Sequence, residues 1–370
     1  MSFRFLFFLM LLWPQASVLH AQGRETAASG SSPPGVPAQS ALTKKVMEAM
    51  GKNDPAAAFL AATEGRSKGD AACTYLLGQM HELGQGAPAV DLKKAFSLYE
   101  EAAAANVPEA LSAVARCVES GLGTEKNSAK AMFLWQVAAE AGDPPALGRM
   151  GQAELEGHLR PANETAALPW LEKAAAASDP LGLWLLSRCY DSGLAGLTTD
   201  VEKMASLCSR AALNGQIDAM HRMGGLYATG RGLPTDPVAA TGWYRLAADH
   251  GHLPALASLA LCHLNGLGCR QNDRTAFEFA AAAAKAGNGR GQYLMGRIFD
   301  EGLGIPSDFV LGLTYHLRAM KNGVGEARTA SDRLKAKLEP AEIAKAEKLA
   351  GQLDFHAAVP SQSGITESGR

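Results

Sequence analysis

The sequence predicts an all-α fold, an α/α solenoid of about seven helix-turn-helix repeats of 36–37 residues, and three observations point to it. The first is a fixed period. Gly69, Asn106, Gly142, Ser178, Gly215, Gly251, Gly287 and Gly323 stand 37, 36, 36, 37, 36, 36 and 36 residues apart, each followed four residues later by a small residue such as Ala110, Ala146 or Ala219. A period in this range with two helical patterns per unit marks stacked helix pairs that bury a face only against their neighbours. The second is a glycine turn at one place in each unit, as in "ELGQG", "ESGLG", "ATGRG", "LNGLG" and "DEGLG". Glycine takes the left-handed conformation that ends a helix without a steric penalty. The third is composition: 47% hydrophobic residues, only 6% aromatic and 39 glycines in 370 residues favour closely packed helices over sheets.

Taken in order, residues 1–21 read as a secretory signal peptide. Arg4 is a positive n-region, and Phe5 to Trp13 form a nine-residue apolar run, too short to span a bilayer as a helix. Cleavage is expected after Ala21, with Leu19 large for its position; the other reading is an uncleaved anchor, the sole membrane association expected. Residues 22–42, rich in Ser, Pro, Gly and Ala, read as a disordered linker, and 355–370 as a disordered tail. Residues 43–68 are expected to form an N-terminal helical cap, 69–322 the seven repeats, and 323–354 a charged C-terminal cap.

Within a unit, the first helix carries small residues that let helices approach and apolar residues that fill the seam, as at Leu77-Gly78, Met150-Gly151 and Met295-Gly296. After the glycine turn, Asp91, Asn127, Asn163, Asp200, Asp236, Asp273 and Asp308 are read as starting the second helix. That helix is Ala-rich with one large residue per unit, taken as Leu98, Leu134, Trp170, Cys208, Trp243, Phe279 and Tyr315. The third unit departs most: Glu154 stands at an aromatic position, and Pro169 should kink its second helix or start it late.

These residues resemble the Sel-1-like repeat family, a branch of the tetratricopeptide-like α/α solenoids. The match to its pattern is fullest over Gly215 to Gly251, "GQIDAMHRMGGLYATGRGLPTDPVAATGWYRLAADHG". The resemblance implies a right-handed superhelix, first helices lining a concave side, and a role as interaction scaffold. It also permits a cell-envelope enzyme, or a β-lactam- or peptidoglycan-binding protein of the cysteine-rich secreted type. In secreted relatives a cysteine ending one second helix pairs with one starting the next unit; Cys73 fits the latter position, but Gly65 stands where its partner would be.

The charge is nearly balanced, 35 basic against 37 acidic residues, which argues against a nucleic-acid partner or a polybasic membrane patch. No nucleophile elbow, zinc-protease or phosphate-loop motif occurs, so no catalytic residue, cofactor or metal site is named. His81 and His263 read as occupants of the aromatic slot of a unit, and "DHGH" as an inter-repeat turn. Cys262 with Cys269, across a glycine turn, and Cys189 with Cys208, between paired helices, are the conceivable disulfides; otherwise the cysteines are small core residues.

Chemistry for binding is expected on the first helices, where positions four apart share a face. Tyr75, Gln79, Arg116, Arg149, Gln152, Trp184, Arg188, His221, Arg222, Tyr293 and Arg297 make up this candidate groove for a peptide or protein partner. Aromatic and Arg side chains are the types that carry binding energy. The competing reading is self-paired charge, since Arg116/Glu119, Arg188/Asp191 and Arg297/Asp300 are spaced for ion pairs within one helix, and pairs such as Glu100-Glu101 and Asp300-Glu301 read as solvated helix ends. Export to the periplasm or the extracellular space is expected from the leader, and a monomer is expected.

Overall fold

The structure, a computed structural model, describes residues 40–87, 89–157 and 162–352. The expected leader, nearly all of the linker and the tail lie outside the described residues. Among the described residues there are α-helices and no strand. No helix there is long and apolar enough to cross a membrane. The chain divides into two compact units between Gly215 and Gln216.

The first unit holds α1 (Ala41–Gly51), α2 (Pro55–Ser67), α3 (Ala71–Leu83), α4 (Leu92–Ala104), α5 (Pro108–Ser120), α6 (Ser128–Glu140), α7 (Pro144–Glu156), α8 (Glu164–Ala176), α9 (Pro180–Ser192) and α10 (Val201–Leu213). In the second are α11 (Ile217–Thr229), α12 (Pro237–Asp249), α13 (Leu253–Asn265), α14 (Asp273–Lys285), α15 (Gly289–Glu301), α16 (Phe309–Lys321), α17 (Glu326–Lys335) and α18 (Pro340–Gly351). Each repeat's two helices pack together, and its second helix packs on the next repeat's first within the unit. First helices also touch one another directly, α7 against α9 and α13 against α15.

Why each repeat helix has 13 residues follows from its ends. The side chains of Asp91 and Asn127 accept the N–H groups of Lys94 and Lys130, both at 2.9 Å, satisfying donors the helix leaves open. In the sixth repeat the cap is Asn272, which accepts from Thr275 N at 3.0 Å; Asp273, expected as the starter, is the first helical residue, where its charge favours the positive helix end. First helices close on a glycine in the left-handed region, such as Gly121 at φ 76°. Pro169 neither delays nor ends its helix. Asn163 starts α8 six residues earlier, and the proline is accommodated inside it.

The residues that mark the period are the left-handed joints between repeats. Asn106 and Ser178 hold φ of 60° where the other units have glycine. Asparagine tolerates this region through local hydrogen bonding, but serine pays the Cβ penalty. Ser178→Gly is therefore expected to stabilise the first unit by about 1 kcal/mol, read as a higher urea midpoint with an unchanged slope.

Packing is organised by small-residue sockets. The ring of Tyr99 lies where a Cβ on Gly78 would come within 2.7 Å, and Leu171, Tyr244 and His316 fill the same role against Gly151, Gly224 and Gly296. The large residue that repeats is thus the one after Leu98, Leu134 and Trp170. Cys208 belongs to this second slot, with Tyr99 and Leu171, and Leu207 to the first, a correction of one place to the sequence reading. Burial separates the slots in three units: Trp135, Leu171 and Cys208 are buried, while Leu134, Trp170 and Leu207 are half-buried. A Cβ on Gly65 would overlap the Cys73 side chain, so glycine is what lets α2 and α3 close at that joint.

Candidate functional site

On the first helices of the first unit the expected groove residues do share a face, but most are already engaged. Gln79 Nε2 donates to Tyr75 Oη at 2.7 Å, and the Tyr75 and Tyr99 rings stand 5.7 Å apart. Arg116 does not pair with Glu119 three residues on. Both terminal nitrogens instead donate to Glu82, each at 2.6 Å, while Tyr99 Oη donates to the same carboxylate at 2.7 Å. Burial pushes the Glu82 carboxyl up, but the hydrogen bonds from Arg116 and Tyr99 outweigh it and hold the group below its ordinary value. Arg149 repeats the device one repeat later. It donates to Glu119 and to Gln152, and stands 5.9 Å from the Trp135 ring, whose Nε1 donates to Glu119 at 3.2 Å.

Two positions in this unit differ. At the slot shared by Tyr75 and Ser112, Gly148 presents no side chain, and Trp184 is half-buried. Arg188, one turn beyond Trp184, is exposed and makes no ion pair with Asp191 or any other described residue. Below the stripe lie two buried carboxylates. Ser112 Oγ donates to Asp143, which caps α7, and Asp179 accepts from Gly182 N at 2.7 Å to cap α9. Burial pushes both carboxyls up to about 6 despite these hydrogen bonds.

In the second unit, His221 Nε2 lies 3.0 Å from Ser258 Oγ, and its ring stands tilted 4.7 Å from that of His252 and 5.4 Å from that of Tyr244. Burial, then the His252 ring, hold His221 down to about 4. The Ser258–His221 spacing is that of a nucleophile and base, yet Asp218 lies 3.4 Å from His252 Nε2. Arg222 is half-buried beside His221 and has interactions of its own. Tyr293 sits 5.5 Å from the His316 ring, and Arg297 pairs with Glu301 at 3.1 Å rather than with Asp300. Asp300 is buried, 8% exposed, and takes Arg333 of α17, so it is no solvated helix end. His316 is fully buried with neither ring nitrogen hydrogen-bonded, and burial holds it down to about 4.

The six cysteines are free thiols; neither Cys262 and Cys269 nor Cys189 and Cys208 are joined. Cys269 Sγ instead lies 3.6 Å from His263 Nδ1, and His263 stacks on Phe279 at 5.7 Å. Among the described residues no three His, Cys, Asp or Glu side chains are grouped to hold a metal ion.

The spacing gave Glu119 and Asp300 partners in their own helices and passed over Glu82. Glu82, Glu119 and Asp300 all stand two residues before the turn glycine, and each is met by a guanidinium from the next helix in that position, Arg116 of α5, Arg149 of α7 and Arg333 of α17 in the C-terminal cap. For Glu82 and Asp300 that recurrence was available as a signal, because their partners Arg116 and Arg333 share one position of the repeat; Arg149, the partner of Glu119, lies outside it.

This arrangement defines a class, an all-α repeat protein whose chemistry lies on helix faces. The Sel1 repeat family model matches residues 71–107, 108–143, 144–179, 180–216, 217–252, 253–288 and 289–324, and the chain belongs to that family. Among curated relatives, chitin synthase regulatory factor 3 of Schizosaccharomyces pombe is 28% identical over 262 residues, 69% of this chain and 28% of that protein. Chitin synthase regulatory factor 4 of the same yeast is 34% identical over 114 residues, 30% of this chain and 18% of that one. The chain thus spans less than a third of either relative. Among solved structures, a protective antigen of uropathogenic Escherichia coli with an SLR fold aligns with TM-score 0.65 and 22% identity, covering 89% of this chain and 73% of the other. A Sel1 repeat protein from Oxalobacter formigenes aligns with TM-score 0.55 and 26% identity, covering 66% and 99%. Sel1-repeat proteins are generally non-catalytic scaffolds for protein interaction.

Proposed function

We propose that this chain is an exported, monomeric, non-catalytic scaffold that binds a protein or peptide partner on the first-helix face of its repeats, in the periplasm or cell envelope. One observation carries the binding reading: the half-buried Trp184 ring beside the exposed Arg188, on a face whose other guanidiniums are tied down. An aromatic ring and a free guanidinium together are what interfaces use as anchors. Stacked helix pairs give such a face length and rigidity, which suits an extended partner. The yeast relatives, named for regulating a synthase, fit a protein that works through another protein. Export rests on Arg4 and the apolar run that follows it.

Crosslinking capture from the cell envelope, with the full chain as bait, tests this. The captured partner is expected to be lost with Trp184→Ala, at a half-buried position, or with Arg188→Ala, at an exposed one, and circular dichroism checks that both variants keep their helices. Recovery unchanged by both substitutions overturns the reading, as does finding the chain only in the cytosolic fraction.

A further inference from the structure

The glycine turn of the sixth repeat carries a thiol at a place where no other repeat has one. Backbone bonds fix the course of this turn. Leu267 N donates to Cys262 O and Asn272 N to His263 O, both at 2.9 Å, while Thr241 Oγ1 of α12 donates to Leu267 O at 2.9 Å. The chain leaving α13 therefore folds back over the helix end. Cys269, the residue after the second turn glycine, is returned to the ring of His263, with Sγ 3.6 Å from Nδ1. In the first repeat His81 holds the same slot as His263. There the residue after the second turn glycine is Ala87, and His81 Nδ1 is buried without a partner.

All six cysteines lie among the described residues; five are buried and Cys269 is half-buried. Burial pushes the thiols of Cys73 and Cys117 up to about 11, and raises those of Cys189 and Cys262 as well. Those four are shielded from reagents and held in the unreactive thiol form. His263 is only 8% exposed, and its ring stacks on Phe279 at 5.7 Å, as Phe299 stacks on Tyr315 at 5.7 Å one repeat later. Phenylalanine therefore suffices to fill the slot, and what histidine adds is a nitrogen facing the sulfur. The other ring nitrogen, Nε2, is buried with no partner. With Nδ1 accepting from the thiol, the neutral ring carries its proton on Nε2. A nucleophile within hydrogen-bond reach of a base, whose ring is held by a third side chain, is the arrangement that activates a thiol.

We infer that Cys269 is a site of covalent modification, with His263 as its base, and that it takes a small-molecule disulfide. The Cys269 thiol gives its proton to His263 Nδ1, and the thiolate attacks one sulfur of the disulfide. The bond between the two disulfide sulfurs breaks as the bond from Cys269 Sγ forms. The leaving thiolate takes the proton from Nδ1 and departs as a thiol. One disulfide is consumed, one mixed disulfide and one thiol are made, and no other oxidant enters. A half-buried sulfur in a turn pinned at Leu267 and Asn272 suits a small reagent better than a bulky one. Cys262, buried and held as a thiol, leaves the mixed disulfide unresolved. This inference is independent of the scaffold reading, because it needs no partner protein.

The test incubates the full-length, reduced chain with excess oxidised glutathione at neutral pH and follows intact mass and mapped peptides over time. The expected product carries one glutathione per chain, on Cys269, and loses it again on reduction. Native Cys269 is expected to react at least about tenfold faster than the same cysteine in the urea-unfolded chain, where the His263 contact is gone. His263→Phe keeps the ring stack and should slow the native reaction at least about tenfold, as should His263→Gln, which keeps a polar group but is no base. Cys269→Ser should remove the adduct. Circular dichroism checks that each variant keeps its helices, and the comparison of native with unfolded wild-type chain needs no variant. No adduct on the native chain, a first adduct on another cysteine, a Cys262–Cys269 bond in its place, or an unchanged rate in His263→Phe each overturns the inference.

Discussion

Gly123→Ala is expected to destabilise the first unit by about 3 kcal/mol or more, and Gly142→Ala by only about 1 kcal/mol. Both glycines sit in the left-handed region, at φ 71° and 87°, so both substitutions carry the same conformational cost. They differ in what a new Cβ would meet. At Gly142 nothing lies within 4 Å, whereas at Gly123 the Cβ would overlap the Leu92 carbonyl, 2.6 Å from its carbon and 3.0 Å from Lys93 N. Leu92 begins α4, the second helix of the preceding repeat. Gly86 and Gly268 press in the same way on Pro55 and Pro237, the first residues of α2 and α12. The two glycines of each turn therefore do different work. One ends the first helix, and the other lets backbone touch backbone between repeats. Backbone atoms cannot rotate away as a side chain can, so the helix ends must separate. Urea unfolding of the two variants, with local amide exchange at α4 and α5, measures the difference. Equal midpoints would show that the close approach carries no energy.

Acidification from pH 7 to about 4.5 is expected to move the two units in opposite directions. In the first, Asp143 and Asp179 have carboxyls raised by burial to about 6 from an ordinary 3.8. The folded state holds these protons more tightly than the unfolded chain, so stability grows as pH falls through about 6 towards 4. Each carboxyl taken alone is worth about 3 kcal/mol, and their mutual influence keeps the pair from adding fully. In the second unit, His221 and His316 are lowered by burial to about 4 from 6.5. The unfolded chain binds those protons first, so stability is whole above pH 6.5 and is lost as pH falls towards 4, again by about 3 kcal/mol for each. His316 is faced by Asp300 and Glu301, which favour its charge, and by Arg333 and Arg297, which oppose it. Amide exchange resolved along the chain at the two pH values reads both trends. Asp143→Asn keeps the cap and should reduce the first trend, leaving the share of Asp179, and His316→Gln should reduce the second, leaving the share of His221. Parallel trends in both units would refute the assignment.

How much of this was legible beforehand depends on how far a side chain reaches. Helix ends were legible because a cap such as Asp91 and a turn glycine such as Gly121 act on backbone within three or four residues. Partners were not. The i,i+3 spacing suggested Arg116 with Glu119, but Arg116 spans 34 residues to Glu82 because adjoining first helices lie side by side. Asp300 looked like a solvated helix end and is buried under Arg333. The slot of Cys208 was misread by one place because only packing against a socket separates two adjacent apolar positions.

The period, the helix pairing and the glycine turns that end the first helices were settled by the sequence alone, since steric limits on φ and unsatisfied helix-end groups act locally whatever surrounds them. Which charges are spent and which are free was decided only by the tertiary stacking. That stacking brings Glu82 to Arg116 and Glu119 to Arg149, and sets Leu155 where Arg188 would need an acid.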